Sequence, residues 1–378
     1  MSLSNIDSVR AKATDTPISE LAPAPLRNHL ASLDGLRALS IFFVLLAHSS
    51  PGEGDILTYY GHLGVSIFFV ISGTLITWLM IREREETGSL SLPDFYIRRA
   101  LRILPVYWLL ILCVIALNST HIIEITWPDI LRAFTFTHNY PPGKAISPDY
   151  AWWLHHTWSL SLEEQFYLVW PSLFAFLPRR ISKYLAALLA MSGPILRVAN
   201  YYLFPSLRGE EGGMFHTRID ILMMGCVLAF LLSSPTWVAK LKKVSAGPVL
   251  IACCAFLVVV EPLTVTRYKP HTIAHAIVGA GVPTLEAALI AVCILLLVVK
   301  RSGVAYNVFN RPILTHFGKL SYSLYLWQQL FLGSAIGSNS LSLLWRLPCI
   351  YLISICSFNF LEMPFLKLRK RFRRVLSE

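Results

Sequence analysis

The sequence predicts an all-α polytopic membrane protein with about ten transmembrane helices and both termini in the cytoplasm. Three observations predict it. Of 378 residues, 55% are hydrophobic and 15% charged, against roughly 45–50% and about 25% in soluble domains. The apolar residues come in blocks of about 18–25, the length a helix needs to cross a bilayer core about 30 Å thick. Backbone groups there have no water to bond and must pair within the helix. Finally, Lys and Arg concentrate in alternate connections, as the positive-inside rule demands.

The elements follow in chain order. Residues 1–32 are polar, contain proline and lack an apolar core, so they read as a disordered cytoplasmic lead-in with no signal peptide. Ten candidate spans lie near 33–50, 62–81, 102–118, 157–177, 184–204, 217–234, 247–263, 274–299, 319–337 and 344–363. They form one transmembrane domain over 33–366, followed by a basic cytoplasmic tail over 367–378. Most connections are short; 119–156, rich in Trp, Pro and His, is the one long loop. With the N-terminus inside, the inner connections collect Arg82, Arg84, Arg98, Arg99, Arg102, Arg179, Arg180, Lys240, Lys242, Lys243, Lys300 and Arg301. The outer ones hold only Arg132, Lys144, Arg208, Arg267 and Lys269. The net charge of +11 is therefore topological, not the footprint of a nucleic-acid binder. The seven cysteines all lie in apolar blocks without CxxC or metal spacing, which predicts neither disulfide nor zinc.

Ionisable groups within a span are costly and usually face a cavity or a partner. In the first span Arg37 and His48 are eleven residues apart. That is three helical turns, so they share a face about 16 Å apart along the axis; Asp34 lies near that face. Histidine near neutral pKa can take a proton from a hydroxyl, although a snorkelling arginine and an interfacial histidine would also fit. In the loop before the third span Arg99 and Arg102 are one turn apart, beside Arg98. Arginine suits phosphate through bidentate bonds, and positive-inside charge is the plainer account. The fourth span opens with Ser159 and Glu163 stacked on one face and Glu164 adjacent. The two acids could orient a histidine or bind acceptor hydroxyls, or simply oppose the dipole at a helix start. Arg197, Arg218, Asp220 and Glu362 suggest structural ion pairing within the membrane. His62, His155 and His156 read as interfacial.

Taken together, the segments LDGLRALSIFFVLLAH, GVSIFFVISGTLI, FYIRRALRILPVYW, TWSLSLEEQFYLVWP, TRIDILMMG, LSYSLYLWQQ and FNFLEMPF resemble, in order and spacing, the membrane-bound acyltransferase family 3. This is the O-antigen acetylase-like family of bacteria, and the resemblance covers about residues 30–366. It implies ten core helices in the inner membrane and transfer of an acyl group from acyl-CoA, commonly acetyl-CoA, to a hydroxyl of a carbohydrate or glycoconjugate acceptor. No metal is implied, and a homo-oligomer is allowed. The family's Arg-x10-His motif falls on Arg37 and His48, its Arg-x-x-Arg motif on Arg99 and Arg102, and its Ser-x-x-x-Glu motif on Ser159 and Glu163. Members often have a histidine after SLYLW, where this chain has Gln328 and Gln329, which argues against a base on the ninth span. Some members carry a further soluble domain. With none in this sequence, acceptor delivery is expected to use the membrane core or another protein.

The expected mechanism places Arg99, Arg102 and Arg98 at the CoA phosphates on the cytoplasmic side. The pantetheine arm, on the order of 15–20 Å long, matches the Arg37–His48 rise. His48 deprotonates the acceptor hydroxyl, Glu163 or Asp34 holds the imidazole or positions the acceptor, and Arg37 stabilises charge or lines the donor channel. Ser159 and Glu164 contact the acceptor. An acyl-histidine intermediate is the rival path. A transporter or flippase of lipid-linked glycans would share the spans and the buried charge, but it favours paired halves, which this sequence lacks.

Overall fold

The computed structural model describes residues 31–49, 56–140, 148–208, 213–260, 273–332 and 340–372. Among them there are helices and no strands. They are α1 (Ala31–Ser49), α2 (Ile56–Thr87), α3 (Leu92–Ser119), α4 (Trp127–Phe134), α5 (Pro148–His155), α6 (Thr157–Phe176) and α7 (Arg179–Leu203). There follow α8 (Phe215–Leu232), α9 (Pro235–Lys243), α10 (Ala246–Ala255), α11 (Ile273–Val299), α12 (Val304–Phe309), α13 (Pro312–Trp327), α14 (Ser340–Ser357) and α15 (Met363–Arg369). Residues 1–30 of the expected lead-in and 373–378 of the tail lie outside the described residues.

The described part of every apolar block expected to span the membrane falls largely on a helix; residues 50, 261–263 and 333–337 of those blocks lie outside the described residues. Seven helices are long and apolar enough to cross a bilayer, or eight if α9 and α10, bent by 89°, count as one. Ten crossings therefore go beyond what length and composition establish. The two helices that fall short do so for visible reasons. α6 carries Glu163 and Glu164 in its sequence. α13 has 16 residues before it tightens into a 3-10 turn at Gln328–Leu330. The seventh expected span, 247–263, is broken: α10 passes into a π-helical turn at Phe256–Val260.

Small residues set the packing, because close helix approach needs room for backbone against backbone. α2 is the hub. A methyl group on Gly64 would lie 2.6 Å from the Ser40 carbonyl oxygen of α1. One on Gly73 would lie 2.0 Å from the Leu222 carbonyl of α8, and one on Gly225 of α8 would lie 2.2 Å from the Val70 carbonyl. The two backbones thus touch at reciprocal glycines. On the other flank of α1, Gly318 of α13 leaves no room for a side chain against the Asp34 carbonyl.

α6 is pinned to α2 along its length. The Ser72 hydroxyl donates to Glu163 Oε1 at 2.7 Å, and Trp170 Nε1 donates to Thr77 Oγ1 at 2.8 Å. Arg84 donates to the Phe174, Ala175 and Leu177 carbonyls. These are orphan acceptors of the last helical turn, which basic side chains commonly satisfy.

The long connection 119–156 is not a simple loop. It holds α4 and α5, and it docks inward. Thr126 caps α4 by accepting from the Asp129 amide at 3.3 Å. Phe136, at φ 54°, turns the chain so that its ring stacks on Tyr107 at 4.7 Å. Its carbonyl accepts from Gln165 of α6 at 2.8 Å, while Gln165 and Asn139 exchange two amide bonds at 2.9 and 3.0 Å. The helix α5 that this loop delivers brings Trp152, His155 and His156 to the end of α1.

Candidate active site

α1 sets the axis of the site. Its helical pitch keeps Arg37 and His48 on one face. Arg37 donates to Asp34, one turn earlier, at 3.3 Å. The Trp152 ring stands edge-on to His48 at 5.8 Å and is fixed by donating Nε1 to the Leu332 carbonyl at 3.1 Å. The Gln328 side chain lies beside His48, within hydrogen-bonding reach of the imidazole.

His48 is not alone. His62, His155 and His156 all lie within its electrostatic range, and His138 lies within that of His156. His62 and His155 keep exposed surface, but His156 is 1% exposed. The expectation that His156 is interfacial is overturned: the docked loop carries it inside. Its ring faces Tyr325 at 5.5 Å. Although five histidines gather, no group of three or more His, Cys, Asp or Glu among the described residues is placed to hold a metal ion.

α6 leads away from this cluster. Ser159 shares a hydrogen bond of 2.6 Å with the Tyr325 hydroxyl, which donates to the His156 carbonyl at 2.6 Å. One turn on, Glu163 accepts from Ser72 at Oε1 and from Tyr167 at Oε2, the latter at 3.2 Å. Glu164 is within range of Glu163 and Arg99, and its buried Oε1 has no hydrogen bond.

The arginines meet the other end of this face. Arg99 sits over the rings of Phe95 and Tyr167 at 5.7 and 5.4 Å. Arg102 is within range of Arg37, Glu163 and Glu362. Among the described residues, no hydrogen bond or ion pair holds either guanidinium. Arg98 differs: it is tied to Glu83 at 2.8 Å and to the Phe372 carbonyl at 2.7 Å. Glu362, in a π-helical turn, accepts from Ser323. π turns recur at functional sites.

The structure thus brings Arg37, Arg99, Arg102, Glu163 and Glu164 together at one end, and His48 at the other, with Ser159 between. It does not bring Asp34 or Glu163 to His48. Asp34 is fourteen residues, about 21 Å, down the helix from it, and both Glu163 oxygens are bonded elsewhere. Ser72, Tyr167 and Tyr325 are polar partners that sequence reasoning did not single out. All three lie inside motif segments, and Tyr167 follows Glu163 by four residues, a spacing that would have flagged it. Arg37, Arg99 and Glu163 are half-buried, and His62 is exposed.

The buried ions away from this path are structural in form. Arg197 of α7 is bidentate to Asp220 of α8, at 3.2 and 2.9 Å, and donates to the Ala280 carbonyl at 2.8 Å. Arg218 lies within electrostatic range of Glu286 and Asp220.

A helical membrane bundle threaded by arginines, paired acids and a histidine defines a class, and comparison with known proteins agrees with it. The chain belongs to the acyltransferase 3 family, whose profile, an acyltransferase domain, matches residues 30–362. The peptidoglycan O-acetyltransferase OatA of Listeria monocytogenes is 26% identical over 90% of this chain and 56% of its own length. The O-acetyltransferase OatA of Staphylococcus aureus strain NCTC 8325 is 29% identical over 90% of this chain and 57% of its own length. A Staphylococcus aureus strain COL protein, provisionally named an O-acetyltransferase, is also 29% identical, over 90% of this chain and 58% of its own. The chain therefore spans under three-fifths of the length of these relatives. No solved structure matches it.

Proposed function

We propose that this chain is a multi-pass O-acyltransferase of the cytoplasmic membrane. It moves an acyl group, most simply acetyl, from cytoplasmic acyl-CoA to a hydroxyl of a carbohydrate or glycoconjugate acceptor. In this reading both termini are cytoplasmic and ten helices cross the bilayer. The observation that carries it is the polar face running from Arg99 and Arg102, which no ion pair holds among the described residues, to His48 within an otherwise apolar bundle. Family membership and the O-acetyltransferase names of the relatives support it.

Arg99 and Arg102 hold the CoA phosphates, their forks free for bidentate bonds. The pantetheine arm extends along α1 past Arg37, and the thioester reaches His48. The imidazole takes the acceptor's hydroxyl proton while that oxygen attacks the thioester carbonyl. The resulting oxyanion collapses, the C–S bond breaks, and the CoA thiolate recovers the proton from the imidazolium. General-base help of this kind is typically worth 10²–10⁴-fold. Glu163, held by Ser72 and Tyr167, balances the charge of Arg99 and Arg102 rather than orienting the imidazole. Ser159 and Glu164 line the route between the two ends.

Purified protein given radiolabelled acetyl-CoA tests the reading. An acyltransferase binds and consumes the donor, whereas a glycan flippase does neither. Full activity in folded His48→Ala would remove His48 as the base. Label trapped on His48 would replace direct transfer by an acyl-histidine path.

A further inference from the structure

The connection after α3 reaches deeper than its place between two spans suggests. α4 begins level with the end of α3, since the Ile125 amide donates to Asn118 Oδ1 at 3.1 Å. Its far end lies lower. The Tyr107 hydroxyl donates to the Ala133 carbonyl at 2.8 Å, and the rings of Phe134 and Phe136 stack on Trp108 and Tyr107. Trp108 is eleven residues, about 16 Å, down α3 from Ser119. α2 and α6 supply a second measure. Ser72 sits at the middle of the apolar run 62–81 of α2, so Glu163, which it bonds, marks the centre of the apolar thickness. Two residues on, Gln165 bonds Phe136 and Asn139 at the tip of the connection. A glutamine amide reaches its partner from at most about two helical turns away, about 11 Å. Half a bilayer core is about 15 Å, so the tip lies inside the hydrocarbon zone.

The chemistry of the segment suits that depth. Trp127, Leu131 and Phe134 are 67%, 61% and 54% exposed, and their spacing of four and three residues puts them on one face of α4. Asp129, Ile130 and Ala133 are buried on the other. The two charges of α4, Asp129 and Arg132, are paired, and Arg132 also donates to the Tyr140 carbonyl at 3.0 Å. Charge within a bilayer is found in such pairs. The exposed threonines of the tip close their hydroxyls on the segment itself. Thr135 donates to the Leu131 carbonyl at 2.8 Å and shares a bond of 2.9 Å with Thr137. The amides of Thr135, Phe136, Thr137 and Tyr140 all donate to carbonyls of the same segment. A turn bathed in water needs none of this, whereas one set among acyl chains does.

We propose that α4 dips into the leaflet on the side where α3 ends, with its Leu131 and Phe134 face bedded in lipid acyl chains. That face continues the lipid side of α3, because the Phe134 ring stacks on Trp108 at 6.3 Å, and Trp108, Leu109 and Leu112 are themselves exposed. Trp127, nearest the surface, meets the headgroup boundary, where tryptophan gathers. The connection is thus held by the membrane as well as by the bundle, and this bedding seats Phe136 and Asn139 on Gln165, the neighbour of Glu164. The inference needs only the bilayer and stands apart from the acyl-transfer reading.

The test uses the full chain in nanodiscs of phosphatidylcholine with deuterated acyl chains. The photocrosslinker p-benzoylphenylalanine replaces Leu131 or Phe134, with Leu112, on the lipid side of α3, as the acyl reference and the exposed Glu124, just before α4, as the surface reference. After illumination, alkaline hydrolysis of the lipid esters leaves a deuterated fatty acid on the protein where the probe met an acyl chain, and glycerophosphocholine where it met a headgroup. Leu131 and Phe134 should yield fatty-acid adducts as Leu112 does, and Glu124 should not. Headgroup adducts at Leu131 and Phe134 would make α4 a surface-lying helix and overturn the dip. No lipid adduct at either position, with Leu112 adducted, overturns the lipid contact itself. Hydroxyl-radical footprinting of the unsubstituted chain serves if the probe-bearing variants do not fold. Leu131 should then be labelled within twofold of Leu112, and labelling beyond that overturns the proposal.

Discussion

Ser72 of α2 donates its hydroxyl to Glu163 of α6 across 2.7 Å, within a helix pair also joined through Thr77 and Trp170. A hydrogen bond to a charged group is worth about 1.5–3 kcal/mol. Ser72→Ala should therefore cost roughly tenfold or more in acetyl transfer if Glu163 serves the site as proposed, with the protein still folded. Steady-state rates on acetyl-CoA check it, and an unchanged rate would reduce the bond to packing.

His48→Ala and His48→Gln should each lower kcat by about 10²–10⁴-fold, the usual range for loss of a general base. Acetyl-CoA binding should persist, because the phosphate end lies three turns away. Equilibrium binding beside turnover separates the two.

The three neighbouring arginines should behave differently. Arg99→Lys and Arg102→Lys keep the charge but lose the bidentate fork, and should raise the acetyl-CoA KM by roughly tenfold. Arg98→Lys should leave that KM unchanged and lower stability instead, since Arg98 bridges Glu83 and the Phe372 carbonyl. Donor KM and thermal unfolding in detergent, measured for all three, give the comparison.

Asp220→Ala leaves the Arg197 guanidinium buried without its carboxylate. Breaking one side of a buried pair typically costs about 3–5 kcal/mol, so the variant should unfold well below wild type in a melting series. Replacing both Arg197 and Asp220 with apolar residues should recover part of the loss.

Much of the architecture was legible because a bilayer imposes one length and one secondary structure on a crossing segment. The described parts of all ten apolar blocks fall largely on helices, and the eleven-residue spacing of Arg37 and His48 set their common face. What periodicity cannot carry is the identity of the partner on another helix. Ser72 meeting Glu163, and Tyr325 meeting Ser159, depend on how α2 and α13 pack around α6. His156 looked interfacial because its flanking residues are those of a loop. Its burial follows from the Asn139–Gln165 bonds and the Phe136 turn, which fold that loop inward. Arg98 looked like its neighbours in sequence, and only the approach of Glu83 and of the Phe372 carbonyl separates it from them.

Gly73, where the backbones of α2 and α8 touch, is the residue next to Ser72. This close-packed crossing and the anchor of Glu163 are thus a single mechanical joint. Any added bulk there, such as Gly73→Ala, levers α2 outward and drags the hydroxyl off its carboxylate before the bundle comes apart. Heating should act on the same joint, so turnover should fade at temperatures where the helices are still assembled.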